Sequence, residues 1–150
     1  MSHVRPSIET DVRYIADRLR QADLDELDLW DVSPEEAMIA GYRNSLQPMT
    51  IISDSMPCAM FGVTEPLPGS GFGIVWLLGT DLLFSAKVPF LRQSSLWLHH
   101  CCRPFSAVGN WVDYRNTKHL RWLRWLGFEV TQEITVKNVP VLFHHLKVKD

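Results

Sequence analysis

With 150 residues, 46% of them apolar, and a formal charge of −2, the chain has the composition of a soluble globular protein with one buried core. No apolar run approaches the ~20 residues of a membrane span, and the N-terminus lacks a signal-peptide core. Three cysteines, two of them adjacent, make no disulfide framework, so a reducing compartment such as the cytosol is expected.

In chain order, His3–Arg5 reads as a short strand closed by Pro6. Val12, Ile15, Ala16 and Leu19 follow helical spacing, which predicts an amphipathic helix over Thr10–Ala22. Asp23–Asp31 reads as an acidic connector. Ser33-Pro34-Glu35-Glu36 is a helix start, with Ser33 as N-cap, Pro34 in the first helical position and Glu36 reaching back. That helix is expected to end near Asn44.

Three strands follow. Met49–Ser53 and Cys58–Thr64 flank the turn Asp54-Ser55-Met56-Pro57. Glu65–Gly71 holds two prolines and two glycines and reads as a loop. Phe72–Leu78 is an apolar strand, expected to be central and covered on both faces. Asp81–Val88 leads into a helix carrying Pro89 in its first turn, with Leu91, Trp97, Leu98, Cys101 and Cys102 on its buried side and Pro104 ending it.

The segment Trp111–Val130 packs a strand, a helix and a second strand into twenty residues. Trp111, Val112 and Tyr114 favour a pleated segment. Asn116 or Thr117 can cap the next helix by accepting its free N–H groups. Leu120, Leu123 and Leu126, flanked by Trp122 and Trp125, form its apolar stripe, and Gly127 stands where a left-handed cap is needed. Lys137-Asn138 marks a turn before a last strand, Val141–Val148. The resulting fold class is α+β, a mixed α/β layout around a central mixed sheet, in the order β-α-α-β-β-β-α-β-α-β-β. Residues 1–150 are read as a single domain. The middle strands form an antiparallel meander, and a helical crossover leads to a parallel neighbour.

Charge is unevenly distributed. Residues 1–50 carry five basic and ten acidic side chains, and residues 87–150 carry ten basic and four acidic ones. The plain reading is solvated helix faces; the sharper one is a basic C-terminal face for a phosphate or nucleotide. Lys118, His119, Arg121 and Arg124 are read as the basic flank of one helix beside Trp122 and Trp125. A nucleic-acid module built on that interleaving is disfavoured against a packed core with a cationic outer face. His99-His100-Cys101-Cys102 offers no complementary ligand pair, so no metal site is expected. His144 and His145 should face opposite ways by strand alternation.

The layout, together with Tyr114-Arg115-Asn116-Thr117-Lys118-His119-Leu120-Arg121-Trp122-Leu123-Arg124-Trp125-Leu126-Gly127-Phe128, resembles the GCN5-related N-acetyltransferase (GNAT) superfamily. Within it, that run is similar to a small family of GNAT-like proteins of short-tailed bacteriophages, known as acetyltransferases or as internal virion protein A. The resemblance implies an acyl-CoA ligand, with acetyl-CoA as the cofactor, held beside the central strand pair. It implies acyl transfer to an amine of a host protein or small molecule. The alternative is an inactive GNAT-like shell that serves virion assembly or host takeover through contacts with phage or host proteins. Either would place it in the cytoplasm of the infected bacterium, or in the virion.

By the same resemblance, Leu78, Leu82, Leu83, Ser85, Ala86, Lys87 and Val88 are candidate coenzyme contacts. Asn116 is either a structural cap or a contact to the coenzyme arm, and His119 is a further candidate contact. Asp81, just past the central strand, and Glu65, in the loop before it, are the candidate bases, against the plainer reading of turn residues. Two departures stand out. The loop Phe84–Phe90 lacks the glycines that let a backbone approach a pyrophosphate. Leu123 occupies the position where the family's general-acid tyrosine often stands.

Overall fold

The computed structural model describes residues 2–85 and 89–148. Strand β1 (Ser2–Pro6) is followed by helices α1 (Glu9–Ala16), α2 (Gln21–Leu29) and α3 (Pro34–Asn44). The meander β2 (Met49–Ser53), β3 (Met56–Thr64) and β4 (Phe72–Gly79) leads through α4 (Leu82–Ser85) to α5 (Pro89–Cys102). Then come β5 (Ala107–Asp113), α6 (Thr117–Trp125), β6 (Glu129–Val136) and β7 (Val139–Lys147). The seven strands lie in the order β1-β2-β3-β4-β5-β7-β6. Every neighbouring pair is antiparallel except β4 and β5, which the α5 crossover makes parallel.

The fold class read from sequence is the one observed, with two differences in the helices. The predicted acidic connector is helix α2, and the first helix stops at Ala16. Acidic side chains interrupt the apolar period of α2, so it shows no clean stripe, yet Arg20 and Asp23 are both buried there. The second difference is the short turn of helix α4 before α5. The Ser33 cap forms as expected: Glu36 N–H donates to Ser33 Oγ at 3.1 Å. Gly127 takes φ +99°, the left-handed conformation that ends α6.

Core residues lie on both faces of the sheet. On one side α5 and α6 pack Leu98, Trp122 and Leu123 against Phe61, Val75 and Val112. On the other, α1 and α3 pack Ile15 and Met38 against Met60. Strand β4 is central but not covered on both faces. Gly73, Val75, Leu77 and Gly79 are buried, whereas Ile74, Trp76 and Leu78 are only partly so, because the helices on their side leave a cleft. Cys58, Cys101 and Cys102 are buried free thiols. His99 and His100 are both exposed, whereas His144 is buried and His145 only partly so. Tyr114 lies beyond β5 and is exposed, as is Trp125.

Near the sheet edge, Asp11 at the start of α1 accepts Arg5 Nη1 at 2.7 Å, Arg5 Nη2 at 2.9 Å, Ile8 N–H at 3.0 Å and the Thr50 hydroxyl at 2.8 Å. Burial works against its charge. The Arg5 guanidinium, with the Ile8 and Thr50 donors, nevertheless holds the Asp11 carboxyl below the usual carboxylate range. Among the described residues, no helix is long and apolar enough to cross a membrane.

Candidate active site

The site begins where two strands part. The β4–β5 ladder runs only from Phe72↔Ala107 to Ile74↔Gly109. At the next position Asn110 inserts its side chain between the strands. Its Nδ2 donates to Val75 C=O at 2.6 Å, and its Oδ1 accepts Trp111 N–H at 2.8 Å. One side-chain amide thus stands where a direct strand-to-strand bond would continue the ladder. Beyond it the strands separate. Thr80 N–H pairs with Cys58 C=O in β3, so by alternation Val75, Leu77 and Gly79 turn their peptide groups toward β5. Leu77 therefore directs its N–H and C=O into the gap.

The far end of the gap is bridged by charged side chains. Gly79 N–H donates to Asp23 Oδ2 at 3.0 Å, and Gly79 C=O accepts Arg20 N–H at 2.8 Å. Arg20 holds Asp23 through Nε at 3.1 Å and Nη2 at 2.8 Å, both side chains being buried. One turn further along α2, Glu26 Oε1 accepts Asp113 N–H at 3.0 Å and Oε2 accepts Asn116 Nδ2 at 3.0 Å. Burial, reinforced by the Asp23 and Asp113 charges, pushes the Glu26 carboxyl up to about 7 despite these donors. His119, on α6, is pushed down to about 3, by burial first and then by the Arg20 charge and His144. The imidazole is thus neutral at ordinary pH, and its Nδ1 is sealed from solvent without a hydrogen-bond partner.

Single ligand atoms of Asp23, Glu26 and His119 lie within 4.8 Å of one another. The group is poorly suited to a cation. Asp23 already uses its two oxygens on Arg20, Gly79 and Asn116, and the Arg20 guanidinium lies inside the same cluster.

The cluster opens into a cleft of about 810 Å³ between the sheet and α2–α3. Trp30, Trp76 and Trp111 give it aromatic walls, and Glu26 and His119 border it. Trp76 is fixed by its Nε1 donating to Ser45 Oγ at 2.8 Å and by lying against Gly41, where an added Cβ would come within 2.7 Å of the ring. An apolar cleft with a few convergent polar groups is the usual form of a small-molecule site.

The structure gathers some of the residues expected from sequence and disperses others. Leu78, Glu65 and His119 border the cleft. Glu65 sits at its rim, where its two oxygens accept Gly69 N–H at 3.4 Å and Gly71 N–H at 3.2 Å, and so organise the 65–71 loop. Asn116 does not cap α6 with its side chain; the amide turns instead to Glu26 and Arg20. His119 is buried rather than on the basic flank, because the helical period places it with Trp122 and Leu123. Asp81 and Leu82 are exposed in the turn after β4, and Leu83 is buried against Gly79. Ser85 ends α4, and Ala86, Lys87 and Val88 lie outside the described residues. Sequence reasoning missed Arg20, Asp23, Glu26 and Asn110. The first three recur every third residue, a polar stripe that hydropathy periodicity does not flag.

No protein-family model matches the chain, and no curated protein matches it by sequence. Its fold is that of the GNAT acetyltransferases. Spermidine N-acetyltransferase from Vibrio cholerae, solved with CoA and spermine, superposes with a TM-score of 0.69 at 11% identity, covering 98% of this chain and 95% of the other. A GNAT-family acetyltransferase from Streptococcus pneumoniae gives 0.67 at 13% identity over 99% and 100% of the two chains. An aminoglycoside acetyltransferase in complex with coenzyme A gives 0.65 at 12% identity over 98% and 95%.

Proposed function

We propose that the chain is an acyl-CoA-dependent N-acyltransferase, moving an acetyl group from acetyl-CoA to an amine. The observation that carries this reading is the open β4–β5 gap, lined by Leu77 peptide groups and continuous with a cleft bordered by Glu26. The Leu77 peptide groups that face the gap offer hydrogen bonds to an amide-containing arm lying between the strands. Glu26, poised near neutrality, suits a base that takes a proton from an ammonium acceptor. It meets that need better than Asp81, which is solvent-exposed, or Glu65, whose oxygens are bound to loop amides. Leu78 remains a proposed contact, and Ser85–Val88 remain the proposed pyrophosphate contacts on sequence grounds. The fold shared with acetyltransferases solved with CoA is consistent with this ligand. Isothermal titration with acetyl-CoA tests the reading. Saturable heat in the micromolar range is expected, and none at high micromolar ligand would sink it.

A second reading is favoured by two features. Leu123 is fully buried and offers no proton, and Gly79 at the end of the gap has both peptide groups already bonded. A GNAT-like shell without catalysis, acting through phage virion or host proteins, accords with this and with the likeness of Tyr114–Phe128 to phage proteins. Mass spectrometry of purified particles decides the virion role, since absence from particles removes it.

A further inference from the structure

We infer that the cleft selects a primary amine carrying one positive charge on a flat aromatic body, which rests against the indoles of Trp30, Trp76 and Trp111. The role of that amine as acyl acceptor rests on the acyl-transfer reading above, whereas its binding can be measured independently. The three indoles come from three separate elements. Trp30 closes α2, Trp76 lies on β4 and Trp111 on β5, and all three line the one cleft. Flat walls favour a flat guest, which gains offset-stacked or edge-to-face contact with the rings. The same ring faces attract an ammonium.

Two of these walls are braced from behind. Trp76 is pinned by Ser45 and Gly41, and its one polar hydrogen is spent on Ser45 Oγ. Trp111 packs on Phe143 with 4.9 Å between ring centroids. Phe143 in turn lies over Gly109, where an added Cβ would come within 2.8 Å of the ring. Phe72 and His145 continue the aromatic row past Phe143, at 6.2 Å and 6.5 Å from it. Walls held in this way lose little side-chain freedom when a ring settles on them.

The charges along the cleft set the number of positive groups it accepts. Among the described residues it is lined by two carboxylates, Glu26 and Glu65, and one guanidinium, Arg43, a formal −1. His119 is neutral there. Each Glu26 oxygen accepts one protein N–H and keeps a second lone pair for an ammonium. Glu65 already gives its oxygens to the Gly69 and Gly71 N–H groups. A linear diamine would bring a second charge that Glu65 alone must offset, against the like charge of Arg43. A polyhydroxylated amine fits no better. The Asn110 amide is bonded through both its nitrogen and its oxygen, so the indole-walled cleft offers few partners to desolvated hydroxyls.

The test is isothermal titration of the intact chain at pH 8, where Glu26 carries its charge, with and without coenzyme A present. 2-Phenylethylamine is expected to bind about tenfold more tightly than n-butylamine, 1,4-diaminobutane or 2-phenylethanol. These lack, in turn, the ring, the ring with a second charge added, and the charge. Trp111→Leu should weaken 2-phenylethylamine about tenfold and leave n-butylamine within about twofold. Trp30→Leu, at a position 41% exposed, should give the same pattern to a smaller degree and keeps the test open if the first variant folds poorly. Affinity for any of the other three probes equal to that for 2-phenylethylamine overturns the inference, as does an aromatic preference that survives both substitutions. Acetyl-CoA titrated in parallel separates the two levels. Heat with acetyl-CoA but no aromatic preference removes the inference alone. An aromatic preference without heat from acetyl-CoA removes the acyl-transfer reading and leaves a binding site for an aromatic ammonium.

Discussion

Two ion clusters bracket α1 along the chain, one at Asp11 in its first turn and one beginning at Arg20 beyond its end, and their protonation differs. In the Arg5–Asp11–Thr50 cluster each Asp11 oxygen has a donor, and its carboxyl is held below its ordinary range. In the Arg20–Asp23–Glu26–Asn116–His119 cluster, Asp23 is equally well bonded. Glu26, however, is pushed up to about 7, and His119 keeps an unpaired nitrogen. The contrast teaches that burial alone does not mark a site. A satisfied cluster fastens β1 and β2 to a helix start, whereas a frustrated one at the mouth of a cleft holds a carboxyl that changes charge near neutrality.

The largest test of this contrast is Arg20→Leu, which leaves Asp23 buried without its cation. Urea unfolding should show a loss of about 3–5 kcal/mol. A loss under 1 kcal/mol would mean that the second cluster does not hold the end of the β4–β5 gap. Asp11→Ala should cost about 2 kcal/mol, the scale of a lost charge-assisted hydrogen bond. Because the Asp11 carboxyl is held low in the fold, the wild-type advantage should be complete above about pH 4, near the unfolded-state value. It should fade as the pH drops through the lowered native value. An advantage that persists undiminished to pH 2 would contradict the direction of the shift.

Glu26→Gln should move the other way. The native carboxyl keeps its proton up to about 7, against 4.5 for an ordinary glutamate, so wild-type stability falls as pH rises between those values. The variant lacks that fall and should be more stable at pH 8 by about 1–2 kcal/mol, after discounting for the partial exposure of the carboxyl. Equal pH profiles for the two proteins would place Glu26 with Asp11 rather than apart from it. The smallest effect is expected of Asn110→Ala, about 1 kcal/mol in stability for two local hydrogen bonds. Its acetyl-CoA affinity should fall further than its stability, because Trp111 N–H can then pair directly with Val75 C=O and narrow the gap. Unchanged affinity would show that the opening does not depend on that amide.

The sequence was legible where signals are local. Ser33-Pro34-Glu36 fixes a helix start within four residues, Gly127 fixes a helix end, and Met49–Ser53 forms the strand its apolar run predicts. The crossover from β4 to β5 followed from their separation along the chain. The site was less legible because its two halves are 87 to 96 residues apart and polar. Glu26 meets Asn116 across that distance, and nothing near either residue announces the other. Helix α2 looked like a solvated connector because its buried face is charged. His119 was grouped with its basic neighbours, although the three-to-four spacing to Trp122 and Leu123 already placed it inside. Asn110 carries no local signal in the sequence, and only the separation of β4 and β5 gives it a role.

That asparagine has a thermodynamic consequence. A gap wedged apart by a side chain of the protein itself exists before any ligand arrives. The entropy of ordering its walls is then lost once, when the chain folds, and not again at each binding event. A ligand that enters such a gap meets a mould already set, so its affinity depends on the contacts it makes rather than on the strands it must separate.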